Sequence, residues 1–160
     1  MKEINLSTKI AVYPIEECSV IEKKLIEAAK SATKNSYSPY SGFKVGAAVL
    51  LSNGEIITGN NQENAAYPSG LCAERTTAFY AHAKYPDQKI EAIAIAAWSK
   101  GNFTKDVITP CGACRQVLLE SESRSHSPMK IMMCSDDTVY IVNSIKDLLP
   151  LSFGDEMLKK

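Results

Sequence analysis

The 160-residue chain has no excess of either charge: Lys plus Arg and Asp plus Glu each total 18, and the formal net charge is zero. A protein that grips a phosphate backbone draws most of its affinity from basic side chains, so this balance argues against nucleic acid or an anionic membrane as the main partner. Long apolar runs are also missing. No stretch approaches the roughly 18 apolar residues that a membrane span needs, and the polar start, MKEINLSTKIAVYPIEE, lacks the features of a secretory signal. A cytoplasmic protein is expected. Repeats, low-complexity tracts and long linkers are absent as well. With 45% hydrophobic residues, the composition fits one globular unit. Residues 1–18 are expected as an N-terminal arm or edge strand and 19–160 as a single domain.

Apolar positions at helical spacing predict a helix over 19–34, followed by the loop SYSPYSG. Apolar runs at 43–51 and 55–60 flank Ser52-Asn53-Gly54, which reads as a β-hairpin. Further helices are expected over 72–84 and 111–122, with the polar loop SRSHSP after the second. Residues 90–98, 130–134 and 138–142 read as strands, and Ser144 caps a helix starting over 144–149. Helices alternating with strands imply an α/β fold. The expectation is three α/β/α layers around a mixed central sheet of about five strands.

Five cysteines, an odd number, read as metal-binding or catalytic before they read as disulfides. Cys111 and Cys114 lie three residues apart at a predicted helix start, and Cys72 opens another. Three thiolates with a fourth tetrahedral position left to water is the plan of a catalytic zinc site. Helix N-termini favour the thiolate form. Arg75 is placed to donate to a ligand sulfur, which tunes the metal. Glu74 follows Cys72 by two, and both reach one pocket if Cys72 occupies the non-helical cap. A C-x-x-C pair alone is shared by zinc ribbons and redox pairs. A fourth protein ligand from Cys18, Cys134, His82 or His126 would close the site and make it structural.

The pattern C-A-E-R followed by P-C-G-A-C-R-Q resembles the small, homo-oligomeric cytidine deaminases. The likeness runs from about residue 36 to 158 and includes YSPYSGFKVGAAVL, TGNNQENAAYPSGLCAERT, TPCGACRQVL and LLPLSFGDEML. It implies a zinc-dependent hydrolase that converts cytidine and deoxycytidine to uridine and deoxyuridine in pyrimidine salvage. Cys72, Cys111 and Cys114 would hold one Zn²⁺ per subunit, and Glu74 would shuttle protons while zinc-bound hydroxide attacks C4. Asn61 and Glu63 would bind the sugar hydroxyls, Phe43 would pack on the pyrimidine, and Ala73 would also touch substrate. Phe153 would reach a neighbouring subunit's site, implying a homotetramer with shared active sites. The resemblance makes 19–160 the catalytic domain. Deaminases of blasticidin-type nucleosides share the zinc and glutamate motifs; Asn61, Glu63 and Phe153 favour an ordinary nucleoside. Polynucleotide-editing deaminases usually carry H-x-E where this chain has C-A-E.

Overall fold

The structure is a computed structural model and describes residues 1–158. Lys159 and Lys160, the end of the domain expected over 19–160, lie outside the described residues. The strands are β1 (Ala11–Pro14), β2 (Lys44–Leu51), β3 (Ile56–Asn60), β4 (Ile90–Ser99), β5 (Asn102–Phe103), β6 (Lys130–Cys134) and β7 (Thr138–Val142). The helices are α1 (Val20–Ala32), α2 (Ala73–Lys84) and α3 (Gly112–Ser125).

The strands form one sheet in the order β1-β7-β6-β4-β2-β3, with β5 paired to the end of β4. Only β4 and β6 run parallel; the other pairs are antiparallel. That parallel pair is joined through α3, as a crossover requires. The sheet therefore has seven strands where five were expected. β1 is the edge strand expected within residues 1–18, confined to Ala11–Pro14, where three of its four residues are exposed and the ladder to β7 orders it. β5 is two residues long, too short for any periodicity.

Strand alternation sorts the core onto two faces. Val49, Leu51, Ile93, Ile95, Ile131 and Met133 pack with Ala78, Ala81, Leu118 and Leu119 of α2 and α3. Their neighbours Ala48, Ala94, Ala96, Met132 and Cys134 pack with Leu25, Ile26 and Ala29 of α1. The α1 face is rich in alanine, so the helix approaches closely. At Gly46 an added β-carbon would collide with the Ala29 backbone carbonyl. The result is a three-layer α/β/α arrangement.

Local chemistry sets the helix ends. Ser19 and Glu22 form a reciprocal capping box at the start of α1. α3 runs three residues past its expected end at 122 and stops where His126 turns left-handed at φ 49°. Residues 144–149 form a 3-10 turn over Ile145–Leu148 and no α-helix. Pro150 follows, and the residue before a proline is disfavoured in helical conformation. Among the described residues no helix is long and apolar enough to cross a membrane.

Candidate active site and metal centre

α2 and α3 begin at the same place. Cys72 and Cys111 are their N-caps, both in extended conformation, and neither side chain makes a capping bond. Their sulfurs are therefore free of the helix ends. Cys114 lies three residues after its helix's cap, so its sulfur faces back toward Cys111. The sulfurs of Cys72 and Cys111 are 3.8 Å apart, those of Cys111 and Cys114 are 3.5 Å apart, and all three lie within 4.8 Å of one another.

Zinc–sulfur bonds of about 2.3 Å at tetrahedral angles put sulfurs about 3.8 Å apart. The trio fits that spacing. It is also the one His, Cys, Asp or Glu group with metal-binding geometry among the described residues. None of the candidate fourth ligands joins it. Cys18 and Cys134 are buried on the α1 face, and His82 pairs with Ser121 Oγ at 3.0 Å. His126 is exposed at the far end of α3. Among the described residues the metal-binding group therefore has three protein ligands, the number a catalytic zinc site uses.

The electrostatics suit an anionic sulfur cluster. The Cys72 thiol is pulled down to about 5, first by the hydrogen bond from Cys114, then by Arg75 and Cys111, against the cost of burial. Cys114 is pushed up, first by its bond to Cys72 and then by burial. Arg75 Nη2 lies 3.7 Å from Cys72 Sγ, the donor its offset implied. Two helix N-termini add positive potential at the same point. Glu74, second in α2, is only 5% exposed. Burial is the main cause that raises its pKa; the Cys72 charge adds, while its own backbone amide, the Cys114 thiol and Arg75 oppose.

A cavity of about 580 Å³ opens in front of the sulfurs, within the usual range for small-molecule sites. Of the residues singled out from sequence, Cys72, Cys111, Glu74, Arg75, Phe43, Asn61 and Glu63 all line it. Cys114 is fully buried behind them. Ala73 is fully buried too, and its side chain lies outside the wall. Phe153 does not line the cavity of its own chain; it stands 56% exposed, and its carbonyl accepts from Gln116 Nε2 at 2.9 Å.

The segment 61–63 is held against the cysteines by backbone pairing. Gln62 exchanges both hydrogen bonds with Leu71, while Tyr37 binds Asn61 and Glu63 on the other side. Asn61 Oδ1 accepts from Val45 N–H at 2.8 Å and from Ser36 Oγ, and its Nδ2 donates to the Phe43 carbonyl at 2.9 Å. Glu63 accepts from the Tyr40 amide at 2.9 Å, the Ser41 amide at 3.3 Å and the Ser41 hydroxyl. Those bonds hold its carboxyl below the usual carboxylate range, the Ser41 hydroxyl contributing most. In sequence, Ser36, Tyr40 and Ser41 carry only the composition of a loop. The Ser-Pro-Tyr-Ser-Gly punctuation marked a tight turn but not what that turn would grip.

The fold and donor set define a metal-binding α/β hydrolytic centre: three thiolates and a buried carboxyl beside them. Comparison with known proteins gives the family. The family model described as the cytidine and deoxycytidylate deaminase zinc-binding region matches residues 19–127. A cytidine deaminase of Sporosarcina psychrophila is 44% identical, covering 85% of this chain and 93% of that protein. One of Halalkalibacterium halodurans is 39% identical, covering 82% and 93%. The crystal structure of cytidine deaminase from Burkholderia pseudomallei superposes with a TM-score of 0.70 at 40% identity, covering 82% of this chain and 98% of that one. The chain belongs to the zinc-dependent cytidine deaminase family, and zinc is the metal its sulfur trio is built to hold.

Proposed function

We propose that this protein hydrolyses the 4-amino group of cytidine and deoxycytidine, yielding uridine or deoxyuridine and ammonia. One observation carries the reading: a buried carboxyl, Glu74, borders three convergent thiols on the wall of a cavity large enough for a nucleoside. Cys72, Cys111 and Cys114 would hold one zinc per subunit. That metal, when bound, supplies the Lewis acidity that makes water nucleophilic near neutral pH.

Glu74 takes a proton from the attacking water as its oxygen adds at C4, and passes that proton to N3. It then carries the second proton to the amino nitrogen; the C4–N bond breaks, ammonia departs and the C4 carbonyl forms. Arg75 keeps negative charge on the Cys72 sulfur in check. Phe43 packs on the pyrimidine, Ala73 contributes through its main chain, and Asn61 and Glu63 take the sugar hydroxyls with a donor and an acceptor. Phe153 of a neighbouring copy completes the site in a homotetramer. Residues 1–18 form an arm on a catalytic domain spanning 19–160, and the enzyme acts in cytoplasmic pyrimidine salvage.

Glu74→Ala should keep fold, oligomer and zinc content while losing at least about a thousandfold in kcat, within the range for removing a general acid–base. The assay is loss of cytidine absorbance, with metal analysis on the same sample. Turnover near the parental rate would remove Glu74 from the chemistry.

A further inference from the structure

Three residues that line the cavity are linked through the Phe43 backbone: Asn61 binds it directly, and Glu63 binds it through Ser41, a serine with no assigned role. Ser41 Oγ donates to Glu63 and accepts the Phe43 backbone N–H at 3.0 Å. Gly42, at φ +66°, makes the turn that folds residue 43 back onto the hydroxyl. On the other side of Phe43, its carbonyl accepts from Asn61 Nδ2 at 2.9 Å. Both backbone polar groups of Phe43 are thus gripped by side chains from the same turn and loop.

The Asn61 amide cannot turn over without loss, because Oδ1 is committed to Val45 N–H and Ser36 Oγ. Its second N–H is the group left to face the cavity. A carboxylate has about four lone-pair sites. Glu63 gives two on Oε2 to the Tyr40 and Ser41 amides and one on Oε1 to Ser41 Oγ. One Oε1 lone pair remains for a ligand. The unit offers one donor and one acceptor in fixed relation to an aromatic ring.

We propose that Ser41 is a positioning residue for substrate: its hydroxyl locks the Glu63 carboxylate to the Phe43 backbone, so the sugar-reading group and the base-packing ring are held as one rigid unit. This rests on the roles given to Glu63 and Phe43 above. Ser41 touches no reacting atom and acts through those two residues. A unit that binds ground state and transition state alike affects KM before kcat.

The test is steady-state kinetics on zinc-loaded full-length enzyme with cytidine. Ser41→Ala should raise KM about fivefold to tenfold, within the range for one ordinary net hydrogen bond, with kcat within about twofold. Ser41→Thr restores the hydroxyl and should return KM to within about twofold of the parent. Ser41→Ala should add little to Glu63→Gln in the double variant, because both remove the same constraint. Ser41 is exposed, so zinc content and melting temperature should stay at parental values and separate positioning from misfolding. A parental KM in Ser41→Ala, or fully additive effects with Glu63→Gln, overturns the coupling while leaving the deaminase reading intact. Absence of cytidine turnover in the parent enzyme overturns the reading itself, and the coupling with it.

Discussion

Replacing Glu122 by alanine would strip two buried backbone amides of their acceptor. The carboxylate is 5% exposed near the end of α3, where Oε1 accepts from Met129 N–H and Ile145 N–H, each at 2.8 Å. Oε2 accepts from Ser144 Oγ, also at 2.8 Å. Met129 and Ile145 are themselves fully buried, so water cannot take over. Each stranded amide costs about 1–3 kcal/mol. Removing a buried charge returns part of that, since the carboxylate had been desolvated. The expected net loss is about 3 kcal/mol, or about 6–12 °C in melting temperature for a chain of this size. Glu122→Gln keeps a carbonyl oxygen for both amides and presents an N–H₂ to Ser144, so it should lose only about 1 kcal/mol. Thermal and urea unfolding at fixed zinc and protein concentration would measure both variants. A loss below about 0.5 kcal/mol for Glu122→Ala would refute the reasoning.

Truncation after Pro150 removes Phe153 and the acceptor of the Gln116 bond; it should weaken oligomer or substrate affinity, read by light scattering and KM, and a fully active monomer would exclude the composite site. The Glu22–Lys130 ion pair, 2.6 Å long, joins α1 to β6. It pulls Glu22 down to about 2 from its ordinary 4.5, with the Lys130 bond leading and Ser19 adding. A depressed carboxyl stabilises the fold above its unfolded pKa, and that contribution fades as pH falls from 4.5 toward 2. Glu22→Gln should therefore be about 0.5–1 kcal/mol less stable at pH 7, after discounting for solvent screening, with the gap to the parent closing below pH 4. A pH-independent gap in urea titrations would count against the ion pair.

What was readable in advance followed from local rules. The Cys111–Cys114 spacing, the cap position of Cys72 and the offset of Arg75 depend on helix geometry over a few residues, and each is where that geometry puts it. The hairpin at 52–54 rests likewise on a glycine with φ +84°. The Ser19–Glu22 capping box was also present as an S-x-x-E signal and went unread. Other features had no local signal. The β1–β7 ladder joins residues more than a hundred positions apart, and Glu122 looked like any polar residue late in a helix.

The sequence by itself determined the family and the three-cysteine group able to hold a metal, because sulfur donors, their spacing and the flanking motifs are local and chemically specific. Only the tertiary structure decided that two helix starts meet within 3.8 Å and that the sheet extends to seven strands. It also decided that a turn serine binds the Phe43 backbone and the Glu63 carboxylate together. Such relations follow from long-range packing and backbone pairing, whose partners are chosen only once the whole chain has closed around its core.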